Sequence, residues 1–158
     1  VIQNEHVRVS AKADYAVRAA VALAAAPGEE PVKGEAIADA QQIPLRFLEN
    51  ILGELRHAGL VQSRRGAEGG YRLARPPEEI SIADIIRAVE GPLATVHGDR
   101  AEKLQYSGDA ASLKEVWLAL RVSIREVLES VTLASVVEGD LPPPVRDLAG
   151  HPEAAEPR

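Results

Sequence analysis

The sequence predicts a mostly α-helical fold that carries one small β-hairpin and a long helix toward its C-terminus. Three observations predict it. Apolar residues recur at threes and fours through most of the chain, the period of one helix face. Only the stretch 60-LVQSRRGAEGGYRLARP-76 alternates instead, around a glycine-rich turn, which is the pattern of a hairpin. Aromatic residues make up just 3% against 46% hydrophobic residues, so the core must be built from Ala, Val, Leu and Ile.

The elements follow in order. Ser10 is an N-cap for a helix through Ala26 that Pro27-Gly28 stops, with Tyr15, Ala19, Ala22 and Leu23 facing inward. Residues 33–42 form a short helix with Ile37 and Ala38 buried. Pro44 suits the first helical position of the next helix. Leu45, Leu48, Ile51, Leu52 and Leu55 make its apolar face, and Gly59 ends it. Val61 and Ser63 precede the Gly66–Gly70 turn of the hairpin, Tyr71 and Leu73 follow it, and Pro76-Pro77 close it. Ser81, with Asp84 three residues later, caps a helix over 81–91. Residues 91–109 read as irregular. A long helix then spans about 111–137, striped by Leu113, Trp117, Leu120, Ile124, Val127, Val131 and Ala134. The Pro-rich, charged stretch 139–158 is expected to be a mobile tail.

Helix, turn, helix, hairpin is the order of a winged helix-turn-helix. The chain therefore divides into an N-terminal extension (1–6, VIQNEH), a winged helix-turn-helix domain (7–91), a segment (92–110) that the family resemblance given below implies is a sensor loop, a dimerisation helix (111–138) and the tail (139–158). The dimer is expected from the stripe on the long helix, which needs a partner surface that a chain this short has little left to supply.

Composition narrows the function classes. Cysteine is absent, which removes disulfides, thiolate catalysis, Cys-ligated zinc and conventional iron–sulfur ligation. Arginine outnumbers lysine 14 to 4, a bias consistent with a GC-rich bacterial genome. No apolar run approaches the ~20 residues of a membrane span. The first residues lack the basic-then-apolar order of a secretory signal, so a cytoplasmic protein is expected. His6, His57, His97 and His151 show no metal-ligand spacing. Glu35 and Asp39 read as a wet helix face, no motif sets Ser, His and Asp as a triad, and no enzyme is expected. The GAEGGY turn lacks both the strand and the helix that make a glycine loop a nucleotide cradle.

Charge is uneven. The formal net charge is −6, yet residues 1–76 hold ten Lys/Arg and nine Asp/Glu (+1), and residues 77–158 hold eight and fifteen (−7). Within 56–75 five arginines stand against Glu68 alone. A polyanion meeting the hairpin would see that local field, not the global one.

A helix ~10–12 Å across fits the major groove, where the second helix of the pair reads base edges. Here it opens Pro44-Leu45-Arg46-Phe47, then Glu49 and Asn50. Arg46 suits a guanine edge or a phosphate, Asn50 adenine and Glu49 cytosine. Arg64 and Arg65 on the hairpin would reach the minor groove or phosphates. Phe47 is open to two readings, packing beneath the helix or touching DNA, and strand alternation leaves the face of Arg72 and Arg75 open.

At LRFLENILGELRHAGLVQSRRGAEGGYRLARPPEEISIADIIRAVEG, and at VRVSAKADYAVRAAVALA before it, the sequence resembles the Rrf-type winged-helix transcription regulators. The resemblance covers about residues 7–137. It implies a homodimeric DNA-binding regulator, a repressor above all, on a pseudo-palindromic promoter site. By position, Pro44, Arg46, Phe47 and Glu49 match recognition-helix residues and Arg65 the wing arginine of the minor groove. Lys33, Leu45, Asn50, Arg64, Gly66, Gly69 and Tyr71 complete the candidate DNA-binding set. Some members hold an iron–sulfur cluster by three cysteines ahead of the long helix, but 91-GPLATVHGDRAEKLQYSGDA-110 has none. No cofactor and no metal are expected, His97 and Asp99 being only two donors. An effector, small molecule or protein, is sought near His97, Asp99 and Tyr106. The alternative is a protein-interaction module on a winged-helix scaffold that no longer reads DNA.

Overall fold

α1 (Ala11–Ala25) begins where Ser10 Oγ accepts the Ala13 N–H at 3.0 Å, the expected cap. A computed structural model provides the structure, which describes residues 9–96 and 98–156. The extension 1–6 and His97 thus lie outside the described residues. α1 is lined by Ala13, Ala16, Ala19 and Ala20, all without exposed surface. Small side chains let neighbouring helices approach closely, and α1 touches four other helices and the hairpin.

α2 (Gly34–Gln41) and α3 (Leu45–His57) form the helix-turn-helix. The turn between them is a Schellman cap. Gln42 adopts the left-handed conformation at φ 52°, its N–H reaches Asp39 O at 3.4 Å and Ile43 N–H reaches Ala38 O at 3.0 Å. Ile43 is buried as the apolar residue that closes the motif. α3 ends the same way, with Gly59 N–H on Arg56 O and Leu60 N–H on Leu55 O, both at 3.0 Å. Leu48, Ile51, Leu52 and Leu55 point into the core from α3, while Leu45 stays 37% exposed and is not part of that buried face. Its position over the first turn of α2 explains the difference: a methyl on Gly34 would meet Leu45 Cδ1 at 3.9 Å.

β1 (Val61–Arg64) and β2 (Gly70–Leu73) pair antiparallel, Val61 opposite Leu73 and Arg64 opposite Gly70. Val32, just before α2, adds a further bridge to Tyr71, with both hydrogen bonds 2.8 Å. α4 (Ile82–Glu90) starts in the expected capping box, Ser81 and Asp84 exchanging bonds of 3.0 and 3.1 Å.

The segment expected to be irregular contains a two-residue hairpin, β3 (Thr95–Val96) and β4 (Asp99–Arg100), and two 3₁₀ turns, Ala101–Lys103 and Gly108–Ala110. The long helix is shorter than its periodicity suggested. α5 (Leu113–Ser130) stops at Val131, and a second helix, α6 (Leu133–Glu138), follows. Val131 O accepts the Ile82 N–H and Leu133 N–H donates to Ile80 O, each at 2.9 Å. Thr132 then caps α6 in a box with Ser135. These competing bonds break the helix although the apolar pattern runs through. Leu133 is fully buried in the main core, so α6 locks α5 onto the winged helix-turn-helix. Nor is the tail without structure: Pro142 and Pro143 begin α7 (Pro143–Ala149), a start proline favours.

Candidate nucleic-acid interface

The sequence places the candidate recognition side chains by periodicity, and the packing of α3 decides which face is free. Because Leu48, Ile51, Leu52 and Leu55 are committed to the core, Arg46, Phe47, Glu49 and Asn50 are left exposed. Phe47 is 62% exposed, so it does not pack beneath the helix. Pro44, with φ −55° and an extended ψ of 125°, sets α3 off directly behind the turn.

The hairpin splits its residues by strand register. Val61, Ser63, Tyr71 and Leu73 share one face, and Gln62, Arg64, Gly70 and Arg72 the other. Arg72 therefore lies on the face of Arg64, where its Nε donates to Gln62 Oε1 at 3.1 Å. Arg75, past the end of β2, is exposed. Arg65 begins the turn, which Gly66 and Gly69 close by a 2.9 Å bond from Gly69 N to Gly66 O.

Two glycines here have no substitute. A Cβ on Gly69 would lie 2.2 Å from Arg64 O, and one on Gly70 would lie 2.5 Å from Val32 O, at a φ of 152°. The second contact is what lets Val32 pair with Tyr71. Lys33 Nζ then donates to the carbonyl of Ala67, fastening the wing tip to the start of α2. Tyr71 is half-buried, its ring 3.6 Å from where a Gly34 methyl would stand, so its role in holding the wing to α2 is as plain as any ligand contact. Arg56 Nη1 donates to Ser63 Oγ at 3.1 Å and joins α3 to β1. The wing is thereby tied to both α2 and α3.

Its charge is available. Among the described residues the side chains of Arg46, Arg64, Arg65 and Arg75 have no hydrogen-bond or ion-pair partner within the chain. Residues 44–75 hold six arginines against Glu49, Glu54 and Glu68, a net +3, and Glu54 is engaged by Lys12 at 2.9 Å. Unpaired guanidinia on a surface offer planar forks of donors that match phosphate oxygens and guanine edges.

The residues expected near an effector are dispersed. Asp99 is exposed on β4, opposite Val96, whereas Tyr106 is half-buried and accepts the Trp117 indole N–H at 2.9 Å. Sequence reading missed what α4, β4 and α5 bring to this region, the arginines at 87, 100, 121 and 125, because they are scattered along the chain. The i,i+4 pair Arg121 and Arg125 was the one available signal. Of the dimer stripe, Leu113 is 38% exposed, and Trp117, Leu120, Ile124 and Val127 are half-buried. Val131 is a correction: it is buried within its own chain, since it lies beyond α5 and pairs with Ile82.

Comparison with known proteins places this geometry. A family profile described as "Rrf2: Iron-dependent Transcriptional regulator" matches residues 9–139. The chain is 53% identical over 149 residues to a Mycobacterium tuberculosis protein provisionally named an HTH-type transcriptional regulator, covering 94% of this chain and 92% of that one. It is 37% identical over 136 residues to the HTH-type transcriptional regulator CymR of Bacillus subtilis, covering 84% and 94%. The solved structure of CymR, the global cysteine regulator of B. subtilis, matches with a TM-score of 0.72 and 34% identity over 85% of this chain and 98% of that one. IscR of T. potens matches with a TM-score of 0.69 and 41% identity, covering 87% and 90%. These relatives are transcriptional regulators, not enzymes.

Proposed function

Since the chain belongs to the Rrf2 family of DNA-binding transcriptional regulators, we propose that it is a homodimeric repressor that occludes a pseudo-palindromic promoter site in the bacterial cytoplasm. The observation that carries this reading is the unpaired arginine surface. Among the described residues the side chains of Arg46 on α3 and of Arg64 and Arg65 on the wing have no partner, beside the exposed Glu49 and Asn50. α3 enters the major groove and offers Arg46, Glu49 and Asn50 to base edges, while Phe47 and Leu45 meet thymine methyls or sugar. The wing sets Arg65 in the adjacent minor groove.

Dimerisation is supported by α5. Its eighteen residues include none that is fully buried, and Val116 remains 52% exposed beside Leu113 on the same side of the helix. An isolated amphipathic helix gains little from propensity alone, so a second copy of this surface is the natural cover. Two-fold pairing sets two reading heads about one helical turn of DNA apart, or a multiple of it, ~34 Å per turn. No helix of the described residues is long and apolar enough to cross a membrane.

The family description names iron, and the donor set here does not fit an iron–sulfur cluster. Such clusters are held by thiolates, and the sequence contains no cysteine. Among the described residues no group of three or more His, Asp or Glu converges as a metal site. The readings that remain are control by a small molecule, by a protein partner or by the protein's own concentration. The test is to select genomic fragments with the purified protein at near-physiological salt and sequence what it retains. A two-fold symmetric motif supports the repressor; a folded, dimeric protein that enriches nothing refutes it.

A further inference from the structure

A cleft of about 430 Å³ opens between the end of α4, the turn that follows it, β4 and the middle of α5. Arg87, Arg100, Arg121 and Arg125 line it, over a floor of Gly91, Pro92 and Leu93. The setting makes this unexpected. Residues 77–158 carry a net −7, yet four of their eight Lys/Arg line this one cleft and no acidic residue does.

The surrounding carboxylates do not use up these donors. Glu129 accepts from Arg87 Nη2 and, at 3.0 Å, from Arg125 Nε. Glu102 accepts from Arg121, and Asp84 lies 4.0 Å from Arg87 while its other oxygen serves the capping box. Four guanidinia thus face three carboxylates, and Arg100 has no side-chain partner among the described residues. With five N–H groups each, the four arginines offer twenty donors, of which three bond to the carboxylates. Hydrogen bonds from Arg87 and then Arg125 hold the Glu129 carboxyl below the usual glutamate range. A backbone N–H first, and the charges of Arg121 and Arg100 after it, do the same for Glu102. Both acids stay ionised and act as braces that orient guanidinia at the rim of the cleft.

We propose that this cleft is a ligand site for a small dianion whose charge lies on oxygens, a phosphate or dicarboxylate group bridging Arg100 on β4 to Arg121 and Arg125 on α5. Paired guanidinium forks are the groups that grip such oxyanions in two-point geometry. The volume falls in the range of small-ligand pockets, ~300–1,000 Å³. Leu93, at 9% exposure, supplies an apolar wall for the carbon skeleton. The ligand would join the loop segment to the helix proposed to carry the dimer. Its regulatory use rests on the DNA-binding reading, but its binding does not.

The experiment therefore contains no DNA. The full-length protein is titrated calorimetrically with inorganic phosphate and, separately, with succinate, at constant ionic strength set with chloride. Trp117, the single tryptophan, lies one helical turn before Arg121 and reports the same event by fluorescence. The expected result is saturable binding of at least one dianion, weakened tenfold or more by Arg100→Gln and by Arg125→Gln, and unchanged by Arg146→Gln on α7. Saturation by phosphate alone identifies a phosphate-bearing ligand, and by succinate a dicarboxylate. A response no different from chloride, or affinities unaltered in both cleft variants while circular dichroism shows them folded, overturns the proposal.

Discussion

Arg65→Ala tests the interface with a number attached. Arg65 is exposed and has no partner within the chain among the described residues, so its loss should leave thermal stability within about 0.5 kcal/mol. DNA affinity should fall, and by an amount that depends on salt. Each neutralised phosphate contributes ~0.9 to the slope of log K against log salt. A dimer loses two copies, so the slope should flatten by about 1.8. Between 50 and 200 mM salt, a fourfold change, the variant's deficit should then shrink about 12-fold. Fluorescence anisotropy on the selected duplex, wild type and variant in parallel across that range, measures it. Parallel lines would refute the reasoning, because an arginine that neutralises no phosphate cannot alter the counterions released.

Four further outcomes follow from particular contacts. Gly69→Ala places a methyl 2.2 Å from Arg64 O, and should distort the wing and lower DNA affinity at least tenfold while the helical circular dichroism persists. Leu52→Ala removes a side chain with no exposed surface and should cost about 2–5 kcal/mol in urea unfolding. Val116→Asp puts a charge on the uncovered stripe of α5 and should shift the protein to monomer in light scattering, with unfolding of the monomer's own core unchanged. Glu129→Gln should lower the melting temperature at neutral pH. Because the folded carboxyl titrates below its ordinary value, its contribution is full above the usual glutamate range and fades as pH falls through the lowered value; the difference from wild type in a pH series of melting curves should close there, not at neutrality.

Much of the fold was legible because local rules agreed with the tertiary result. Ser10, Ser81 and Asp84 cap where their side chains predict, Gly59 ends α3, and the alternation of Val61, Ser63, Tyr71 and Leu73 gives the hairpin its inner face. The α3 surface was legible too, since four leucine and isoleucine positions committed to the core leave the others outside. The break at Val131 was not, because apolar periodicity records which side of a segment is buried and carries no trace of Ile80 and Ile82 competing for its backbone. Leu45 was misplaced on the buried face for a related reason: a first-turn leucine at helical spacing can lie over a neighbouring helix terminus instead. The arginine cleft was invisible for want of a local pattern, its members arriving from three separate elements.

The most direct measurement is an amide chemical-shift map of the full chain titrated with its selected duplex. The largest changes are expected at residues 44–50 and 64–71, with α5 to α7 little affected. Changes concentrated on α5 to α7, with the α3 and wing amides unmoved, would contradict that expectation.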